Sequence, residues 1–324
     1  MGGDKIQTMK VLLAGPRGFC AGVDRAIEIV EIALEVYGTP LYVRHEIVHN
    51  WAVVEDLRAK GVVFTDDLSE VPEGSNLIFS AHGVSPAVRA EAVVRKLNVI
   101  DGTCPLVTKI HLEVHKFLRR GYGIFYIGHR GHVETEGTLG EAPGKLVLVC
   151  AESEVAGLTE PGEEKLIYLT QTTLSIDETQ GIVSALRNRF PRLENPPGSD
   201  ICYATQNRQD AVKALAKEAD TILVVGSQTS SNSKSLRQVA EGHGAKSFLI
   251  DGPEDLIEEM LSGAKIVGVT AGASAPEHLV QAVVARVRAL GGGAEAVPLE
   301  DFIVLEEEME FKLPPNLTKL KMAR

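Results

Sequence analysis

Lys10-Val11-Leu12-Leu13-Ala14-Gly15-Pro16-Arg17-Gly18-Phe19-Cys20-Ala21-Gly22-Val23 runs from an apolar strand-like segment through a Gly/Pro loop and a cysteine into a helix-like stretch. The same setting returns twice. Leu97-Asn98-Val99-Ile100 leads through Asp101-Gly102-Thr103 to Cys104, and the weaker run Ser199-Asp200-Ile201 leads to Cys202. The helical patterns that follow are expected to begin near Gly22, Pro105 and Asn207. A cysteine at a strand's carboxyl end lies where open α/β sheets bind their ligands. One such thiol in each third of the chain suggests a single three-legged ligand set. No CxxC pair exists, so spacing alone names no metal.

Between the cysteines, short apolar runs such as Leu41-Tyr42-Val43, Leu77-Ile78-Phe79, Ile124-Phe125-Tyr126-Ile127, Leu166-Ile167-Tyr168-Leu169 and Ile222-Leu223-Val224-Val225 alternate with stretches of helical periodicity. That alternation predicts an α/β fold with small, mostly parallel sheets. The cysteines divide it into three pseudo-repeated α/β units: residues 1–104 with the N-terminal strand, 105–201 and 202–290. Residues 291–324 follow Gly291-Gly292-Gly293 as a C-terminal arm expected to lie over the core, and Lys319 to Arg324 read as a solvated basic end.

The length of 324 residues, with 44% hydrophobic and 24% charged residues, is that of a globular chain able to bury a core. A net charge of −11 argues against a broad nucleic-acid-binding face, since phosphate neutralisation needs clustered Lys and Arg. No run is long and apolar enough for a membrane span, and no apolar leader segment opens the chain, so a cytoplasmic protein is expected. In a reducing compartment the four cysteines are read as thiols, metal ligands or catalytic groups. Cys150 ends the run Lys145-Leu146-Val147-Leu148-Val149 and reads as a buried strand residue.

Polar loops follow the apolar runs. Ser80-Ala81-His82-Gly83, Gly128-His129-Arg130-Gly131-His132-Val133-Glu134, Thr170-Gln171-Thr172-Thr173, Ser230-Ser231-Asn232 and Thr270-Ala271-Gly272-Ala273-Ser274 combine glycine, hydroxyls and imidazoles ahead of helices, a setting suited to phosphate. His82 and His132 can donate to phosphate or move a proton near neutral pH, whereas His129 reads as a solvated loop residue. Glu134 could act as a general acid if partly desolvated. His45-Glu46-Ile47-Val48-His49 satisfies the His-Glu-x-x-His pattern of zinc hydrolases, but it follows a strand rather than lying in a helix. There is neither a P-loop nor a dinucleotide fingerprint. By residue type alone, three thiolates suit either zinc with a histidine or an iron–sulfur cluster with one iron left open.

Pro16-Arg17-Gly18-Phe19-Cys20-Ala21-Gly22-Val23-Asp24-Arg25-Ala26, Val43-Arg44-His45-Glu46 with Val48-His49-Asn50, Phe79-Ser80-Ala81-His82-Gly83-Val84-Ser85 and Thr103-Cys104-Pro105-Leu106-Val107-Thr108-Lys109 form an ordered series of motifs. It continues through Thr170-Gln171-Thr172-Thr173-Leu174-Ser175, Ile201-Cys202-Tyr203-Ala204-Thr205, Ser230-Ser231-Asn232-Ser233 and Gly268-Val269-Thr270-Ala271-Gly272-Ala273-Ser274-Ala275-Pro276. From about Met9 to Glu300 the chain resembles the 4-hydroxy-3-methylbut-2-enyl diphosphate reductases, the oxidoreductases that end the methylerythritol phosphate route to isoprenoids.

That resemblance implies a cloverleaf of three α/β units around one 4Fe-4S cluster per chain, held by Cys20, Cys104 and Cys202, whose open iron binds the substrate hydroxyl. It implies reductive dehydroxylation of (E)-4-hydroxy-3-methylbut-2-enyl diphosphate to isopentenyl and dimethylallyl diphosphate, fed by a ferredoxin or flavodoxin type donor. Diphosphate contacts carry over to His49, His82, Ser230, Ser231, Asn232 and Ser274, with His132, Thr172 and Thr173 also lining the substrate pocket. Glu134 carries over as the proton source, Thr172 as its relay, and His132 as a further catalytic group. Arg130 and Val133 depart from the family pattern beside Glu134. The alternatives are a zinc-dependent hydrolase using His45, Glu46 and His49, or a non-catalytic phospholigand-binding protein.

Overall fold

Strand and helix alternate along the chain as β1 (Lys10–Gly15), α1 (Ala21–Tyr37), β2 (Leu41–Arg44), α2 (Trp51–Ala59), β3 (Val62–Thr65), β4 (Asn76–Phe79), α3 (Pro86–Val94), β5 (Asn98–Asp101) and α4 (Pro105–Arg119). There follow β6 (Tyr122–Ile127), α5 (Val133–Leu139), β7 (Leu146–Val149), β8 (Lys165–Thr170), α6 (Ile176–Arg189), β9 (Leu193–Glu194) and α7 (Tyr203–Leu215). The last group is β10 (Thr221–Val225), α8 (Ser231–Gly242), β11 (Lys246–Ile250), α9 (Glu258–Leu261), β12 (Ile266–Ala271), α10 (Glu277–Leu290) and β13 (Leu299–Ile303). This computed structural model describes residues 9–293, 297–315 and 317, so the leader of residues 1–8 and the basic end of residues 319–324 lie outside the described residues.

Three parallel sheets result, ordered β3-β2-β4-β5, β7-β6-β8-β9 and β11-β10-β12-β1-β13. Each repeats one path. The second strand of the group takes an edge, and the chain then crosses back to set the third and fourth strands on the far side of the first. Strand order therefore reverses between β2 and β4, β6 and β8, and β10 and β12, the kind of switch point where ligands bind in open sheets. The expected α/β class with small parallel sheets is the one observed.

The third sheet departs from the expected partition. Strand β1, assigned by sequence to the first unit, supplies the fourth strand of the third group, and β13, read as part of an arm over the core, pairs with it as a fifth. The burial of β1 explains this. Val11 and Leu13 enter one apolar cluster with Val280, Val283 and Val287 of α10, while Leu12 and Ala14 enter another with Val212 and Leu215 of α7 and Leu236 of α8. A strand buried on both faces needs partners on both edges for its backbone groups, and β12 and β13 provide them. The repeats thus close at their cysteines, as β5 leads to Cys104, β9 to Cys202 and β1 to Cys20.

The chain divides into two compact units. One comprises the described part of Met1–Cys20 with His49–Ala52 and Tyr203–Met309, and is built on the five-stranded sheet. The other comprises Ala21–Val48, Val53–Cys202 and the described residues from Glu310 onward, and contains both four-stranded sheets. Within the latter, α4 packs Ile110, Val114 and Phe117 onto Ile124 and Tyr126 of β6 and Ile167 and Leu169 of β8. Each such buried apolar side chain contributes roughly 1.5–3 kcal/mol.

The lead into Cys202 is not a strand. Residues 195–201 are irregular after the two-residue β9, and the carboxylate of Asp200 takes over from a backbone ladder. Its Oδ2 accepts from the Thr170 amide at the end of β8 at 3.2 Å, and its Oδ1 accepts from Lys109 Nζ at 2.8 Å.

Candidate active site

All three predicted ligand cysteines stand one residue before a helix: Cys20 before α1, Cys104 before α4, and Cys202 before α7, which begins earlier than its periodicity suggested. Their backbone amides are anchored alike. Cys20 N donates to Ala273 O at 3.1 Å, Cys104 N to Ala81 O at 2.9 Å and Cys202 N to Thr172 O at 3.0 Å. Each acceptor lies in the loop after the third strand of the repeat that the cysteine closes, namely β12, β4 and β8. The three thiols are half-buried and in no disulfide. A helix N-terminus favours the thiolate, because its orphan amides and dipole are positive.

The same third-strand loops carry Ser274, His82 and Thr172, and the loops after the first strands of the three repeats lead to His49, to His132 with Glu134, and to Ser230, Ser231 and Asn232. The predicted polar residues therefore fall on the paired loops that flank each switch point.

In the unit holding the four-stranded sheets, Glu134 is 2% exposed. Its Oε1 accepts from the Thr172 amide at 2.7 Å and its Oε2 from Thr172 Oγ1 at 2.9 Å. Burial raises its pKa from the ordinary 4.5 to about 7, against the opposing pull of the Thr172 bonds. His132 caps α5, its Nδ1 accepting from the Glu134 amide at 3.1 Å, which leaves the proton of the neutral ring on Nε2. The ring of His82 lies edge-on to that of His132, centroids 6.0 Å apart, and its Nδ1 is 3.2 Å from Ser80 Oγ. Val133 opens α5, and Glu134 meets Thr172 despite this departure from the family pattern. One contributor escaped the sequence reading. Gln171 Oε1 accepts from His129 N and Thr135 Oγ1, and its Nε2 donates to Thr173 Oγ1, tying the loops after β6 and β8 together. Its place in the polar run Thr170–Thr173 was the available signal.

In the other unit, Ser230 caps α8, its Oγ accepting from both the amide and the hydroxyl of Ser233. Ser231 and Asn232 open the helix and are buried, and neither Asn232 Nδ2 nor Oδ1 has a protein partner. A buried amide with both ends unmet is suited to a polar ligand. Glycine makes the seat possible: a Cβ on Gly226 or Gly272 would fall 2.2 or 2.1 Å from Ser233 Oγ. Ser274 Oγ donates to His49 O at 2.8 Å, and Ser227 Oγ accepts from the Trp51 amide at 3.0 Å.

Other expectations shift. Cys150 lies just beyond β7 and is half-buried rather than buried in the strand, its amide donating to Glu154 Oε2 at 2.8 Å. His129 is half-buried, not solvated. The His45–His49 stretch is a loop, with His45 in the left-handed region at φ 61° and its Nδ1 2.6 Å from Asp66 Oδ1. The helix that carries the His-Glu-x-x-His pattern in zinc hydrolases is absent there.

Three parallel sheets, each with polar loops at its switch point and a cysteine closing the repeat, define the class as a triply repeated α/β protein. The family model described as LytB protein matches residues 11–288, and the chain belongs to that family. The 4-hydroxy-3-methylbut-2-enyl diphosphate reductase of Escherichia coli O1:K1 / APEC is 56% identical over 312 residues, covering 95% of this chain and 98% of that protein. Its counterpart in Escherichia coli strain K12 / DH10B matches to the same extent, at 56% identity over 312 residues. Among solved structures, the E-1-hydroxy-2-methyl-but-2-enyl-4-diphosphate reductase from Plasmodium falciparum superposes with a TM-score of 0.93 at 40% identity, covering 98% of this chain and 99% of that one. A structure of (E)-4-hydroxy-3-methyl-but-2-enyl diphosphate reductase, the terminal enzyme of the non-mevalonate pathway, gives a TM-score of 0.62 at 30% identity, covering 87% and 99%.

Proposed function

We propose that this protein acts as a 4-hydroxy-3-methylbut-2-enyl diphosphate reductase in isoprenoid biosynthesis, releasing isopentenyl and dimethylallyl diphosphate. Two electrons and two protons enter, the allylic C–O bond breaks, the oxygen leaves as water, and a C–H bond forms on the allylic fragment. The observation that carries the reading is the Glu134–Thr172 pair, a buried carboxyl that keeps a proton to about pH 7 while locked to a hydroxyl. The reductases at 56% identity support it. A non-catalytic phospholigand-binding role gives that acid nothing to do.

One 4Fe-4S cluster per chain is assigned to Cys20, Cys104 and Cys202. The donor set fits, since the three thiols start helices and their amides are already satisfied by carbonyls. When bound, such a cluster supplies single electrons and, at an iron without a protein sulfur, a Lewis acid for the departing oxygen. The protein does the rest. Glu134 delivers a proton to the departing oxygen, and Thr172 fixes the carboxyl and passes the proton on. His132 donates from Nε2, with His82 beside it, and His82 and Thr173 are assigned as further substrate contacts. Ser230, Ser231, Asn232, Ser274 and His49 are assigned to the diphosphate, where the α8 N-terminus favours negative charge. Electrons come from a ferredoxin or flavodoxin type donor in a reducing cytoplasm. Among the described residues no helix is long and apolar enough to cross a membrane.

Anaerobic purification tests the reading. The expected protein is brown, carries roughly four iron and four sulfide per chain, and converts the allylic diphosphate when a reduced viologen supplies electrons. Colourless protein with stoichiometric zinc, or cluster-loaded protein that leaves the substrate intact, overturns it.

A further inference from the structure

Two arginines far apart in sequence grip the backbone just ahead of two of the cysteines, and both are held from behind by the C-terminal arm. Arg208, on α7, is 0% exposed. Its Nη2 donates to Gly18 O at 3.0 Å, two residues before Cys20. Its Nη1 donates to Ala204 O at 3.1 Å and to both carboxylate oxygens of Glu307, at 3.0 and 2.9 Å. Asn207 Nδ2 adds a bond to Glu307 Oε1 at 3.0 Å. In the other unit, Arg25, the fifth residue of α1, donates from Nη1 to Gly102 O at 3.3 Å and to Thr103 O at 3.0 Å, the two residues before Cys104. Its Nε donates to Lys312 O at 2.8 Å.

We infer that the C-terminal arm, through Glu307 and Lys312, positions the loops that carry Cys20 and Cys104 by fixing the two arginines that hold them. The inference rests on the assignment of these cysteines to the cluster. A guanidinium is a planar fork whose donors are spent in fixed directions, so a partner at one end determines what the other end reaches. A buried arginine that loses its carboxylate is an uncompensated charge and turns toward water. Gly18 O is then released, and the Cys20 loop loses one of its tethers while the Cys20 amide stays bonded to Ala273 O. Glu307 and Lys312 are positioning residues, since each acts through an arginine.

Full-length protein purified anaerobically is treated with a chelator and iodoacetamide, and alkylation of each thiol is followed by mass spectrometry, with Cys150 as internal reference. Glu307→Gln, which keeps the shape and removes the charge, is expected to speed alkylation of Cys20 about tenfold and to leave Cys104 and Cys150 within about twofold of the parent. Stopping the chain after Phe311 removes the Lys312 carbonyl and should speed Cys104 and spare Cys20. Should that truncation fail to fold, Arg25→Lys, which cannot span the three carbonyls, provides the same comparison. Unchanged alkylation of Cys20 in Glu307→Gln overturns the inference, as does equal acceleration of all the thiols. Because the readout is thiol exposure, protein without iron refutes the cluster assignment separately and leaves this comparison interpretable.

Discussion

With its carboxyl buried and both oxygens engaged by Thr172, Glu134 retains its proton to about pH 7, so pH acts on the fold. Between the ordinary 4.5 and about 7 the native state binds a proton that the unfolded chain has lost. Stability is therefore greatest at the acid end of that window and declines as pH rises through it, by about 3 kcal/mol for this group. Glu134→Gln should flatten that slope, measured as urea midpoints at pH 5 and pH 8, because the amide never ionises. The same substitution should keep iron and substrate binding while turnover falls by about 10²–10⁴-fold; unaltered turnover would remove Glu134 from the proton path. Asn232→Ala should raise the substrate KM about tenfold or more, since the proposed diphosphate seat loses a buried polar group, with little change in iron content. Sequence reading reached both residues, Glu134 through its Gly-marked loop and Asn232 through a helix start. What it could not supply was their burial, which depends on packing from distant segments and turns a solvated carboxylate into an acid.

At the scale of elements, the first turn of α8 is seated between the ends of β10 and β12 because Gly226 and Gly272 leave room for Ser233. Gly272→Ala would drive a methyl into the Ser233 hydroxyl and shift the capped turn that presents Ser231 and Asn232. The expected result is a loss of about 1–3 kcal/mol in stability with weaker binding of inorganic diphosphate, read by thermal unfolding and titration calorimetry. Apolar runs and helical periods located most strands and helices, since each buries a continuous face. They misjudged the approach to Cys202, where the Asp200 side chain does the work of a strand, and the start of α7, whose buried face carries the polar Thr205, Arg208 and Gln209. Side-chain substitutes for backbone pairing leave no periodic trace.

For the molecule as a whole, the threefold recurrence of cysteines was visible in the sequence, but its phase was not. Units counted from the N-terminus begin at a strand that belongs to the last group, because pairing is settled by edges and burial, not by chain order. The recurrence also separates Cys150 from the other thiols. It follows the edge strand β7, and the residues that follow the equivalent edges β3 and β11 are Asp66 and Asp251. Cys150→Ser should accordingly leave the iron content unchanged, whereas serine at Cys20, Cys104 or Cys202 should abolish stable cluster retention; iron analysis of the four proteins decides it. The placement of β1 also bears on synthesis. Val11 to Ala14 leave the ribosome well before their neighbours β12 and β13, so at ~5–20 residues per second the strand waits on the order of tens of seconds for its partners. During that interval an apolar segment with two open edges is exposed to aggregation and to chaperones. Ribosome-bound chains stalled before Ile266 should be cut by protease within Val11–Ala14, and chains stalled well beyond Ile303 should be protected there.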